Sequence, residues 1–503
     1  MMISSPELTL GEVGRLLFGK ELRPIPAQRR IADVIIDSRV AAKGSFFVAI
    51  RGQSTDGHLY LKDAFAAGAL GAIAEPLALE TCPDALFIWP DGSFQMRGAE
   101  PGVDPDIDHA PVIFLHERPV AGLQHLASEW RQRMPAQTVG ITGSIGKSTT
   151  KETVADVLAR RYVTLRSEGN LNNEIGLPLT LLRLRAPHER AVLEMGMYAL
   201  GEITQLVGWA KPRIGVVTNV GPVHLERLGS IERIAEAKSE LPRGLPPAED
   251  GGVAILNRDD PLVWTMAGRT KARVFSYGLH PAADLWADEI ESRGLEGIKV
   301  RLHYGKERYH AHLPLLGRHS VHTALRGAAV GLMDGLSWDE IIHGLQEVRG
   351  QLRLMVVPGL RDTTIIDDTY NASPDSTLAA LNLLRDIANR SHRAVAVLGD
   401  MFELGSYEEA GHRLVGGRAA QVVDKLVTVG PRARWIADEA LASGMESTDV
   451  HPVTSNTDAI GILQGMIRSG DIVLVKGSRA AAMERIVDAL SREGGRGAGA
   501  KKA

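Results

Sequence analysis

With 503 residues the chain can hold about three domains, and its 44% hydrophobic and 23% charged content is ordinary for a globular protein. Fifty-seven basic against 61 acidic residues give −4, which excludes the electrostatic footprint of a nucleic-acid binder, and no apolar run nears the ~18 residues of a membrane span. Residues 1–9 carry Glu7 and no basic stretch before an apolar core, and the lone Cys82 rules out an intrachain disulfide or a multi-cysteine zinc site, so a soluble cytoplasmic protein without a secretory signal is expected.

Residues 1–85 mix short strands, at 34–36, 45–50 and 72–74, with a helical run over 61–70 that stops at Gly71. Residues 90–111 are rich in Pro, Gly and Asp and read as an exposed loop or insertion. A helix is expected over 120–134. From Thr138 onward, apolar strands alternate with helical segments, the pattern of a parallel α/β sheet. The strands fall at 139–142, 191–194, 214–218 and 253–256, and a second series at 363–367, 394–398, 426–429 and 472–475. Between the series, residues 295–315 alternate like antiparallel strands and 321–333 carry apolar residues at helical spacing. A break near residue 350 separates the two series, and the Gly-rich tail at 494–503 has nothing to bury and is expected to be disordered.

Polar residues close these strands: Glu194, Asn219, Asn257, Asp368, Asp400 and Lys476. Open parallel sheets bind ligands at their carboxyl ends. A turn role at a strand end explains any one of the six, but explains all of them together less well.

The strongest motif is Gly140-Ile-Thr-Gly-Ser-Ile-Gly-Lys147-Ser148-Thr149, placed between an apolar strand and a helix with Val154, Val157 and Leu158 on one face. That context fits a phosphate-binding loop. Glycines admit backbone N–H groups to phosphate oxygens, the helix N-terminus adds a positive dipole end, Lys147 neutralises phosphate and the Ser148 hydroxyl suits Mg²⁺. The strict spacing wants glycine at 141, where this chain has Ile141, so the form is relaxed. Glu194 and His224 follow the exits of later strands and are candidates to complete a metal site for Mg²⁺ or Mn²⁺. His224 alone is more often a packed or surface histidine, and Lys238 reads by spacing as a helix-face lysine.

Thr142-Gly-Ser-Ile-Gly-Lys-Ser-Thr149, Asn170-Leu-Asn-Asn-Glu-Ile-Gly-Leu-Pro178, Glu194-Met-Gly196 and Asn219 with His224 together resemble the Mur ligases, ATP-dependent amide ligases of peptidoglycan precursor synthesis. Asp367-Asp-Thr-Tyr-Asn-Ala-Ser-Pro374, Gly399-Asp-Met-Phe-Glu-Leu-Gly405 and Val475-Lys-Gly-Ser-Arg479 look like the member that adds D-alanyl-D-alanine. Asp37-Ser-Arg39, Gly44-Ser-Phe-Phe-Val-Ala49 and Asp56-Gly-His58 are similar to its UDP-binding domain. No Asp-Asn-Pro-Arg motif, the mark of the diaminopimelate-adding sister, is present.

The resemblance implies an α/β protein of three domains: a UDP-substrate domain over 1–120, a central P-loop ATP-binding domain over 121–350 and a Rossmann-like domain over 351–493. It implies ATP contacts at Gly143, Ser144, Ile145, Gly146, Lys147, Ser148, Thr149, Asn257, His319, Arg353 and Asp368. It implies contacts to UDP-N-acetylmuramoyl-tripeptide or D-alanyl-D-alanine at Asp37, Ser38, Arg39, Asn172, Asn173, Tyr370 and Asn371. Mg²⁺, as one or two ions, falls to Ser148, Glu194, His224 and Lys238, the last at a position that is often carbamylated. Lys147, Glu194, His224 and Lys238 are the implied catalytic set, in a monomer that meets neither nucleic acid nor membrane. Two departures stand out. The family's Gly-x-His-Asn with a further Asn near the adenine is here Gly317-Arg-His319-Ser320 with Thr323, and its Gly-Arg is Leu352-Arg353. A Mur-type ligase with another amine donor, or a non-catalytic P-loop protein, are the alternatives. The first would accept single amino acids, and the second would bind ATP without ligation.

Overall fold

The computed structural model describes residues 7–22, 25–52, 55–96, 108–223, 225–347, 355–389 and 391–492. His224, Arg353 and the tail at 494–503 therefore lie outside the described residues. The described residues form an α/β protein with sheets of six, nine and six strands.

The first sheet holds β1 (Asp33–Ile35), β2 (Ser45–Val48), β3 (Gly71–Ala74), β4 (Leu86–Ile88), β5 (Phe94–Met96) and β6 (Val112–Leu115), in the order β1-β2-β3-β6-β4-β5. All pairs are parallel except β4 with β5. β5 corrects the sequence reading of 90–111 as loop. Ser93-Phe-Gln-Met96 sits in a Pro- and Gly-rich stretch, but cross-strand pairing of Phe94 with Ile88 and Met96 with Leu86 makes it a strand. Residues 97–107 of that stretch lie outside the described residues. β2, β3 and β6 are buried along their whole length, as strands covered on both faces must be.

The second sheet holds β7 (Gln137–Thr142), β8 (Thr164–Arg166), β9 (Arg190–Glu194), β10 (Ile214–Val217), β11 (Val253–Asn257), β12 (Arg273–Gly278), β13 (Leu285–Ser292), β14 (Ile298–Tyr304) and β15 (Glu307–Leu313). Its order is β15-β14-β13-β12-β11-β10-β7-β9-β8. β14 and β15 pair antiparallel, as expected for 295–315, and β13, outside that range, pairs antiparallel with β14. The helix Val321–Met333 matches its expected span.

The third sheet holds β16 (Met355–Pro358), β17 (Thr364–Asp368), β18 (Ala394–Gly399), β19 (Lys425–Val429), β20 (Val450–Val453) and β21 (Ile472–Lys476), in the order β16-β17-β21-β18-β19-β20. Alternate residues feed two separate cores. Ile366, Ala396, Leu398, Leu426 and Leu474 pack on one side, and Ile365, Val395, Val397, Val427, Val473 and Val475 on the other. Only helices on both faces accommodate such uninterrupted apolar strands.

Two compact units divide the chain, with the division passing through β7. One comprises Met1–Gly140, Tyr162–Met195 and Thr204–Pro212. The other comprises Ile141–Arg161, Gly196–Ile203 and Arg213–Ala503.

Candidate active site

In the second unit, β7 runs into the loop Gly143–Gly146 and then into the helix Lys147–Leu158. Two glycines make this turn possible. Gly143 has φ +146, and a Cβ there would fall 1.8 Å from the Thr218 Oγ1. Gly146 has φ +80 immediately before the helix. The segment after β10 holds the loop in shape. Ser144 N donates to Asn219 O at 2.9 Å, Ile145 N to Asn219 Oδ1 at 2.9 Å, and Asn219 Nδ2 to Ile145 O at 3.1 Å. Thr218 Oγ1 donates to Ile145 O at 2.7 Å, while Ser144 Oγ accepts from Gly221 N at 2.8 Å and donates to Gly221 O at 3.1 Å. Asn257, at the end of β11, supports the same strip by donating to Thr218 O at 3.1 Å.

Lys147 is the first residue of the helix. Its Nζ donates to Gly143 O at 2.7 Å and Ser144 O at 3.2 Å, so the ammonium is folded over the loop. Ser148 and Thr149 follow on the first helical turn, whose N–H groups have no intrahelical partner. A shaped loop, a fixed ammonium and a helix N-terminus together form a polyphosphate site.

Lys238, on the helix Ile231–Arg243, is 2% exposed and makes no ion pair among the described residues. Burial, and then the charge of Lys147, hold its amine well below the ordinary lysine value. Spacing read it as a helix-face lysine without saying which way it faces; in the structure that face is the buried one, with Ile234, Ala235, Ala237 and Leu241 of the same helix.

In the third sheet, Asp368 and Lys476 sit opposite each other at adjacent strand ends and form an ion pair of 2.7 Å, with Lys476 almost wholly buried. Lys476 Nζ also donates to Asn371 O at 2.8 Å, which fixes the Tyr370-Asn371 turn. The Arg479 guanidinium carbon lies 5.2 Å from the centre of the Tyr370 ring. His319 is flanked by His322, Arg326 and Lys476. Loss of hydration first, and then these neighbouring groups, push its pKa down to about 4.

The first unit carries the other candidates. Glu194, 1% exposed at the end of β9, accepts from Asn172 Nδ2 at 2.8 Å. Asn173 uses its side chain locally, accepting from Gly176 N at 2.9 Å at the start of the next helix. Asp37, Ser38 and Arg39 form an exposed turn in which Arg39 Nη2 pairs with Asp37 Oδ2 at 2.6 Å, an arrangement that the sequence reading allowed as a plain surface turn. The Arg39 side chain holds the Asp37 carboxyl below the usual range.

A model of the Mur ligase middle domain matches residues 141–331, and one of the Mur ligase glutamate ligase domain matches 352–479. The UDP-N-acetylmuramoyl-tripeptide–D-alanyl-D-alanine ligase of Mycobacterium tuberculosis is 34% identical, over 96% of this chain and 98% of its own. The Bacillus subtilis ligase of the same name is 33% identical, again over 96% of this chain and 98% of its own. The chain belongs to the Mur ligase family. MurF from Acinetobacter baumannii superposes on this Mur ligase with a TM-score of 0.77 at 28% identity, covering 96% of this chain and 99% of that one. A Thermotoga maritima MurF ligase solved in complex with ADP gives 0.72 at 27%, covering 91% of this chain and 96% of that one.

Sequence reasoning missed Arg326 at this site in the Mur ligase. A Cβ built on Gly146 would lie 3.4 Å from its Nη2. The signal available was a lone charge inside the apolar helical run Ala324-Leu-Arg-Gly-Ala-Ala329. It belongs to no motif, and only the fold brings it to the loop.

Proposed function

We propose that this Mur ligase joins D-alanyl-D-alanine to UDP-N-acetylmuramoyl-tripeptide at the expense of ATP, giving ADP and phosphate, as a cytoplasmic monomer in peptidoglycan precursor synthesis. The observation that carries the reading is identity of 34% sustained over 96% of the chain with ligases of that name. The likeness spans the substrate-binding ends as well as the P-loop. The proposed domains are 1–120 for the UDP substrate, 121–350 for ATP and 351–493 for the dipeptide.

A carboxylate and an amine do not condense usefully in water, so the tripeptide carboxylate first takes the γ-phosphoryl of ATP. The acyl phosphate is then attacked by the dipeptide amine, and phosphate leaves from the tetrahedral intermediate. Lys147 and the N–H groups of the loop hold the phosphates and spread the charge of the transferring group. Asn257, His319, Arg353 and Asp368 are assigned to the nucleotide, Asp37 to Arg39 with Asn172 and Asn173 to the nucleotide-peptide, and Tyr370 and Asn371 to the dipeptide. Ser148 hydroxyl, Glu194 carboxylate, His224 and a carbamylated Lys238 are the donors assigned to a hard cation, and the burial that lowers the Lys238 pKa favours the neutral amine that takes up CO₂. When bound, Mg²⁺ supplies charge neutralisation on the phosphates.

The dipeptide assignment is tested by incubating the protein with ATP, Mg²⁺ and UDP-N-acetylmuramoyl-tripeptide beside D-alanyl-D-alanine, then beside single amino acids, and weighing the products. A product heavier by the dipeptide, and none with single amino acids, is expected. Ligation of a single amino acid would move the chain to another branch of the family.

A further inference from the structure

Arg326 is a buried cation without a countercharge. It sits on the inner face of the helix Val321–Met333, is 4% exposed and forms no ion pair among the described residues. Its Nη2 donates to Thr323 Oγ1 at 2.8 Å, and its guanidinium carbon is 5.9 Å from the Tyr277 ring centre. Its Nε is buried and has no hydrogen-bond partner at all. The carboxylates of the adjoining loop are committed elsewhere. Asp260 accepts from Val220 N, Leu262 N and Val263 N. Asp259 accepts from Leu279 N and His280 N and pairs with His322 at 2.9 Å.

Burying an unpaired guanidinium is costly, a cost that persists in a fold when a ligand supplies the missing anion. Among the described residues, the feature beside Arg326 built for an anion is the P-loop, whose Gly146 lies against its Nη2. The two positions where the resemblance expects adenine-side asparagines are already occupied locally. Ser320 Oγ donates to Gly317 O at 2.7 Å, and Thr323 Oγ1 accepts from Arg326. Neither offers an amide to a nucleotide, and the arginine one turn further along the same helix brings the strongest free donor.

We infer that Arg326 is a nucleotide-binding residue whose guanidinium takes a phosphate oxygen of the bound nucleotide as its countercharge. The inference rests on the nucleotide-binding reading of the P-loop. Its test is calorimetric binding of Mg-ADP to the full-length protein, to Arg326→Met and to Arg326→Lys, with melting of each unliganded protein. Arg326→Met is expected to weaken ADP by about tenfold or more, the worth of one charged hydrogen bond. Arg326→Lys, which keeps the charge, is expected to regain part of that loss. The unliganded Arg326→Met protein should melt no lower than the original, because an uncompensated charge has gone. A loss under tenfold, or an equal loss in both variants, would make Arg326 a packing residue and overturn the inference. Failure of the unsubstituted protein to bind ADP would instead remove the nucleotide reading on which it rests.

Discussion

Lys238 shows how burial in the folded chain changes the ionisation of a single residue. Lys238 is buried beside another lysine, so its amine holds a proton less readily in the folded chain than in the unfolded one. The unfolded state then binds more protons than the folded one at every pH between the lowered folded value and 10.5, so this residue's contribution to stability rises with pH across that window. Lys238→Met abolishes the term. In carbonate-free buffer the stability of the variant relative to the original should fall as the pH rises toward 10.5. Urea unfolding of both proteins at three pH values measures this, and a gap that does not vary with pH would show that the folded amine is protonated like any other. The same residue shows where sequence reading stopped. Spacing gives Lys238 a place on a helix but not the direction it faces, and the burial that makes its amine unusual is a property of the assembled fold. Asp37-Ser-Arg39, by contrast, was legible as a turn, because Asp37 and Arg39 satisfy each other locally.

At the scale of elements, the P-loop depends on backbone geometry that only glycine allows. Gly143→Ala places a methyl on the Thr218 hydroxyl in a conformation that L residues rarely adopt. It should cost about 2 kcal/mol or more in stability and remove ATP binding, read by thermal melting and nucleotide titration. Retention of full affinity would mean that the loop binds no phosphate. The strands that carry such loops were the most legible part of the sequence. β7, β9, β10, β11, β18, β19 and β21 are continuous apolar runs, because helices cover both faces of their sheets. Of the missed strands, β4 and β6 carry that signature over only three and four residues, and others lack it. β8 has three residues, β16 is largely exposed at a sheet edge, and β13 mixes Asp288, Glu289 and Glu291 into a bulged, half-exposed strand.

For the whole molecule, the central claim is that the P-loop and the strand-end residues of the third sheet serve one ligation. Motifs spread from residue 37 to residue 479 made that claim readable, since no single segment carries both the phosphate chemistry and the acceptor pocket. His224 and Arg353 belong to the proposal but lie outside the described residues. The most direct measurement is phosphate release from Mg-ATP by the purified protein, with UDP-N-acetylmuramoyl-tripeptide alone, with D-alanyl-D-alanine alone and with both. Sustained release that needs both substrates is the expected result. Release indifferent to the dipeptide, or none with either substrate despite bound ATP, would contradict it.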